Sequence, residues 1–158
     1  MMTETYMENM KKGLEYQDFI VHRLMREGLF IGIYTSRKYQ FEYGESASGI
    51  EIKFDGKLQE TGNLYFETAE KANASNLEYV SSGIMRQDNT WAYLIGDYHE
   101  AFLFSKKQLC NLLTISKEKQ RSLCMRFREI ATSRGFTLPK EKAMEWLCLK
   151  HFIFDEAA

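Results

Sequence analysis

Two short segments, Gly49–Asp55 (GIEIKFD) and Asn63–Lys71 (NLYFETAEK), alternate apolar with polar or charged residues. This is the pattern of half-buried strands. Their proximity in sequence predicts a hairpin with its turn near Gln59. Folding there sets Glu51 opposite Glu67 and Lys53 opposite Tyr65 on one face. Ile50, Ile52, Phe54, Leu64, Phe66 and Thr68 then point the other way. Two carboxylates facing each other across a ladder repel unless positive charge stands between them. A divalent metal and a neighbouring lysine meet that need.

The rest of the chain can support such a site. Its 158 residues suffice for a domain with a real core. At 44% hydrophobic, 14% aromatic and one proline (Pro139), the composition is that of an ordered globular protein. A formal net charge of −1 excludes an overall basic field. A nucleic-acid partner would have to meet a local basic surface, or need a metal to offset acidic residues. Cys110, Cys124 and Cys148 lack metal-ligand spacing and read as buried free thiols, which suits a reducing cytoplasm. Residues 1–12 are polar and carry no apolar signal run, and no stretch approaches a membrane span of ~20 apolar residues.

The periodicity predicts a helix over about 7–27 stopped by Gly28, a buried strand at 29–35 (LFIGIYT) and a shorter extended piece at 39–43. Residues 44–49 read as a loop of small residues, and 71–89 as an irregular connection. Strands at 91–95 and 101–104 surround Gly96-Asp97. From Lys106 onward the pattern predicts helices at about 106–113, 117–133 and 139–150. The expected fold class is α/β (α+β): a single domain over 1–158, with a core of about 7–110 and a C-terminal helical extension over about 111–158.

Several residue groups could carry chemistry. Glu51, Glu67 and Lys53 suit phosphodiester cleavage, in which carboxylate oxygens hold Mg²⁺ and a lysine orients water or neutralises developing charge. The same charges also fit the solvated face of a sheet. Glu15, one turn before Phe19, would reach the cleft if its helix packs on the sheet; Asp18 and His22 make a solvent-facing stripe an equal reading. Glu45 could add a carboxylate or stabilise a turn. Asp55 lies about 13 Å along the strand from Glu51 at ~3.3 Å per residue, too far to share one ion. Ser81-Ser82-Gly83 with Arg86 could hold a phosphate or form a plain turn. Trp91 and Tyr93 read as core. Lys106, Lys107, Lys117, Lys119, Arg121, Arg126 and Arg128 form either a charged helix face or a surface tracking a nucleic-acid backbone. No P-loop, Rossmann glycine motif, CxxC, HExxH or nucleophile elbow occurs.

The order of these residues resembles the PD-(D/E)XK nuclease superfamily, with its restriction-endonuclease-like fold, over roughly residues 13–109. It runs from a helix carrying Glu15 through a strand at 29–35, Gly-Ile-Glu51, Asn-Leu-Tyr-Phe-Glu67 and a strand at 91–95 to Phe102-Leu-Phe-Ser-Lys-Lys-Gln-Leu109. GESASGIEIKFD followed by TGNLYFETAEK is similar to phage- or prophage-borne members. The resemblance implies a mixed β-sheet flanked by helices and an Mg²⁺-dependent DNA endonuclease, with Mn²⁺ as a substitute. Glu51 and Glu67 would hold the metal, Glu15 would assist, and Lys53 would act on the water or the phosphate. The family's motif lysine falls on Ala69; Lys53 or Lys71 could replace it. A second alignment takes Glu45 as the first acidic residue and Glu51-Ile52-Lys53 as the E-x-K. A two-fold homodimer fits such enzymes, in which two sites cut two strands. Ala69 also motivates the alternative of an inactive nuclease-like module that binds nucleic acid or a partner protein.

Overall fold

Tyr16, Ile20 and Leu24 recur every four residues and form one apolar stripe, which selects a helix and fixes its inner face. The computed structural model describes the backbone over residues 4–154 and side chains over residues 7–154. In it, α1 (Glu4–Arg26) buries all three residues of the stripe. Gly28 ends the helix at φ +80°, a conformation a side chain would oppose, and the Leu29 N–H turns back onto the Leu24 carbonyl at 2.9 Å.

After α1 come α2 (Arg37–Tyr43), β1 (Ile50–Phe54), α3 (Leu58–Thr61), β2 (Asn63–Glu70) and β3 (Val80–Ser81). A 3₁₀ turn at Gly83–Met85 leads to β4 (Ala92–Gly96), β5 (Glu100–Ser105), α4 (Lys106–Asn111) and α5 (Lys117–Ser122). The described chain closes with β6 (Arg126–Ile130), β7 (Ser133–Pro139), α6 (Lys140–Trp146) and β8 (Cys148–Ile153). The strands form two sheets in the orders β1-β4-β5-β8 and β3-β2-β7-β6. The first is mixed, with β1 parallel to β4; the second is antiparallel throughout. The expected mixed α/β class holds.

The hairpin does not form. β1 pairs with β4, Glu51 opposite Tyr93 and Lys53 opposite Ile95, while β2 pairs with β7. The intervening residues coil into α3, whose Leu58 is fully buried, so the chain crosses from one sheet to the other instead of turning back. The alternation within each arm is real, but the two apolar stripes enter different cores. Ile52 joins α1, Leu94, Ala101 and Phe152 on one side of the first sheet. Leu64 and Phe66 join Tyr93, Ile95, Phe102, Phe104, Phe136 and Leu138 between the sheets. The layers are therefore α1, first sheet, second sheet.

Other expectations are corrected as well. Residues 29–35 make only an isolated bridge, Ile33 to Ser46, and Gly32 and Tyr34 add further hydrogen bonds to the 45–48 loop. Residues 39–43 are helical within α2, where the Tyr39 and Tyr43 rings lie one turn apart, tilted, with centroids 5.6 Å from each other. The helix expected at 117–133 stops early: Cys124 takes φ 54°, and the chain then forms the β6–β7 hairpin. The helix expected at 139–150 gives way to β8 after Trp146. Residues 111–154 are thus no helical extension. β7 lies inside the second sheet and β8 closes the edge of the first. The cysteines are free, as expected, but not buried: Cys110 and Cys148 are half-buried and Cys124 is exposed. Among the described residues no helix is long and apolar enough to cross a membrane.

Phe136, fully buried between the sheets, and Phe127, 61% exposed on β6, separate the two readings of this region. Phe136→Ala is expected to destabilise by about 3–5 kcal/mol, and Phe127→Ala by no more than about 0.5–1 kcal/mol. Urea unfolding of both variants measures the difference; equal small losses would contradict an integral β7.

Candidate functional site

The site begins with β1 on the edge of the first sheet. On β4 and β5, the face carrying Tyr93, Ile95, Phe102 and Phe104 enters the inter-sheet core. Glu51 and Lys53 share that face of β1 through their pairing with Tyr93 and Ile95, so two charges stand at the core's rim. They pair with each other, Lys53 Nζ to Glu51 Oε1 at 2.7 Å. The Glu51 side chain is buried, and that of Lys53 remains 43% exposed towards the cleft.

Two further carboxylates approach the same ammonium. Burial pulls the Lys53 pKa down, but the attraction of Glu51, Glu45 and Glu67 outweighs it, and the amine is held above its ordinary value. Lys53 is therefore a fixed cation near neutral pH. Glu45 arrives from the loop before β1. Its carboxylate accepts from Ile52 N at 2.7 Å, satisfying an N–H on the free edge of β1, and from Gln17 Nε2 at 2.5 Å. Burial raises the Glu45 pKa, Lys53 opposes this, and Glu51 adds to it.

Glu67 arrives from the second sheet. Its two oxygens accept from Ser82 Oγ and Ser133 Oγ, each at 2.7 Å. Ser133 spends its single hydroxyl hydrogen on Glu67, so the 2.7 Å contact with Tyr65 Oη is a donation from tyrosine. Two glycines permit this. Gly83, at φ +51°, brings the 3₁₀ turn against β2, where a Cβ would lie 2.3 Å from the Glu67 carbonyl. Gly135 leaves space for the Tyr65 ring, whose Cζ would lie 2.9 Å from a Cβ there. A bulge at Thr68 shifts the β2–β7 register immediately after Glu67 and marks the end of the regular ladder at the site.

Lys53, Asp55, Tyr65, Glu67, Gly83 and Tyr93 line a cleft of about 190 Å³ between these elements. The Tyr93 hydroxyl is buried beside Glu51 without an acceptable hydrogen-bond geometry. Burial first, then Glu51, drives its pKa far up, so it stays a neutral donor. Asp55 stands at the other end, where Oδ2 accepts from Tyr65 N at 3.2 Å and Oδ1 from Lys57 N at 3.1 Å.

The structure brings Glu51, Lys53 and Glu67 to one place, with Glu45 beside them. Glu15 stays out: exposed on α1, it pairs with Lys11 at 3.7 Å. The inner stripe of α1 passes through Tyr16, and Gln17 is the helix residue that reaches the site. Lys71 is also elsewhere, over the Tyr79 ring and bonded to the Ala74 carbonyl. Ser82 serves Glu67, and Arg86 is engaged by Asp88 and the Gln40 and Phe41 carbonyls, so the 81–83 loop is part of the scaffold. Lys106 likewise pairs with buried Asp88 at 3.0 Å. Gln17, Ser133 and the Tyr65 hydroxyl were not marked by local pattern, because only the tertiary fold gives them partners.

Comparison with known proteins finds no matching family model, no matching curated protein and no matching solved structure. Among the described residues no group of three or more His, Cys, Asp or Glu side chains is arranged to hold a metal ion.

The Glu45 shift sets a pH dependence. A carboxylate whose folded pKa is raised favours folding at low pH, and that contribution is lost as pH rises through its folded pKa. Glu45→Gln keeps an acceptor oxygen for Ile52 N and removes this loss. Urea unfolding from below the ordinary carboxylate range up to neutral pH is expected to show the variant gaining on the wild type. A pH-independent difference would contradict the burial of an ionised Glu45.

Proposed function

We propose that this protein is a metal-dependent DNA endonuclease that hydrolyses phosphodiester bonds, as the order of its acidic residues suggests. The observation that carries the reading is that Lys53, paired with Glu51 at 2.7 Å, shares one cleft with Glu67 and lies within the electrostatic reach of Glu45, although these carboxylates come from a loop and two different sheets. A solvated sheet face has no reason to gather charges from separate elements, and each would be better solvated apart.

Carboxylate oxygens are the donors a hard divalent cation prefers. Among the described residues no group of three or more such side chains is arranged around one point, so the ion would have to draw Glu51 and Glu67 together. Three carboxylates around one ammonium leave an excess of negative charge, and Mg²⁺ or Mn²⁺ prefers such oxygens. Glu51 and Glu67 would hold the ion, with Glu45 close by. When bound, the metal supplies charge stabilisation and acidifies water. The chain supplies the remainder. Lys53, held protonated, offers a cation to the developing negative charge on phosphorus rather than acting as a base. Ser82 and Ser133 fix the Glu67 carboxylate. Tyr93 keeps a neutral hydroxyl buried beside Glu51. Glu15 has no part in this reading.

One observation favours a second reading. At rest every one of the three carboxylates already has a donor from the protein, and the motif position 69 is alanine. That would suit an inactive module which binds nucleic acid or a partner protein through the same cleft.

Cleavage of linear, supercoiled, single-stranded and four-way-junction DNA, with Mg²⁺, Mn²⁺ or EDTA, separates the two. The nuclease reading expects cutting only with metal. Glu51→Gln should lose about 10³-fold or more, and Lys53→Met about 10²–10³-fold, the scale of one removed electrostatic stabiliser. Both variants should still unfold cooperatively. Cutting that persists in EDTA or in Glu51→Gln contradicts this assignment, and no cutting by the wild type leaves the binding module.

A further inference from the structure

The cleft does not end at Tyr65. A second groove of about 270 Å³, lined by Asp55, Lys57, Thr61, Asn63, Tyr65, Arg128 and Thr137, shares the Asp55 and Tyr65 walls with it. The two form one path from Lys53 across the open face of the second sheet. Strand register shows what lies along it. Glu67, Gly135 and Arg128 stand on one rung of β2, β7 and β6, and Tyr65, Thr137 and Arg126 on the next. These residues share a face because they alternate with Leu64, Phe66, Phe136 and Leu138, which fill the core.

Arg126 and Arg128 are exposed on the free edge strand, and neither side chain makes an ion pair or hydrogen bond with a described residue. Their neighbour Arg134, on β7, is by contrast held by Glu129 at 2.9 Å and lies over the Tyr79 ring. Asp55 is the acidic wall of the groove, but two backbone N–H groups already occupy its oxygens. Lys57 shares its charge with Glu60 at 2.6 Å. The groove thus sets the unspent guanidinium of Arg128 beside hydroxyl and amide groups and a tyrosine ring, and Arg126, paired with Thr137 one rung away, adds a second on the same face; the combination is complementary to phosphates, sugars and a base face.

We infer that this face docks a single strand of DNA, running from Arg126 and Arg128 past Tyr65 towards Lys53. The inference rests on the proposed nuclease reading for its choice of DNA. Its own content is the strand's path and the two arginines as phosphate contacts. Binding along the path needs no metal. The Tyr65 ring stands in the wall the two grooves share, and only a strand with unpaired bases can lay a base face on it.

The test is fluorescence anisotropy of a short labelled single-stranded deoxyoligonucleotide with the full chain in EDTA, over a salt series. The Arg126→Ala/Arg128→Ala double variant is compared with wild type and with Lys150→Ala, a surface change on the edge of the other sheet. Each single-strand phosphate contact contributes about 0.7 to the slope of log affinity against log salt. The double variant should therefore bind on the order of tenfold more weakly near 0.1 M salt, with a slope shallower by about 1.4. Lys150→Ala should match wild type. An unchanged slope in the double variant overturns the proposal, and so does an equal loss in Lys150→Ala. Duplex DNA or a single-stranded RNA bound more tightly, with the same arginine dependence, overturns the choice of occupant. Arginine-dependent binding without metal-dependent cutting leaves this surface standing and removes the nuclease reading; cutting with arginine-independent binding does the reverse.

Discussion

Everything around the cleft depends on one pairing, β1 parallel to β4. It fixes Glu51 opposite Tyr93 and Lys53 opposite Ile95, on the face that elsewhere packs against the second sheet. An edge strand can place charges there only because its flank meets a cleft instead of a packed layer. Even so, the ammonium and the carboxylates must compensate one another. The same pairing leaves the other side of β1 without a strand, and the Glu45 carboxylate takes the Ile52 N–H that a neighbour would have bonded. A parallel partner also requires a long crossover, and that crossover contains β2 with Glu67.

Hydrogen bonds from two serines place Glu67, whereas Lys53 is placed by its ion pair with Glu51. Tyr65, Ser133 and Ser82 form a bonded chain around the Glu67 carboxylate, so its position follows from the second sheet. Lys53 is held largely by charge, on a flexible stem with a partly exposed head. An entering cation would compete with that ammonium for Glu51. An entering phosphate would instead find the ammonium ready.

Local pattern carried the sequence reading where tertiary context agreed with it. The α1 stripe, the Gly28 stop, the alternation in β1 and β2, and the β4–β5 hairpin around Gly96-Asp97 follow from side-chain period and turn chemistry. Glu51, Lys53 and Glu67 were visible as residues, but their apparent cross-strand geometry was not the one that unites them. Period 2 tells which residues share a face of one strand, not which strand lies next to it. The C-terminal part was misread for a related reason. Arg126–Ile130 is charged enough to resemble a helix surface, and its strand character comes from pairing with β7. The left-handed turn at Cys124 that ends α5 carries no glycine to announce it.

The most direct measurement is calorimetric titration with Mn²⁺ of the wild type, Glu51→Gln and Lys53→Met. If Lys53 stands where a metal would otherwise draw on the carboxylates, the wild type binds Mn²⁺ at a saturable site. Glu51→Gln then loses that binding, and Lys53→Met, freed of its competing cation, binds more tightly while remaining folded. Absence of saturable binding in both the wild type and Lys53→Met would contradict an exchangeable ion site, and with it the reading of these residues as a hydrolytic centre.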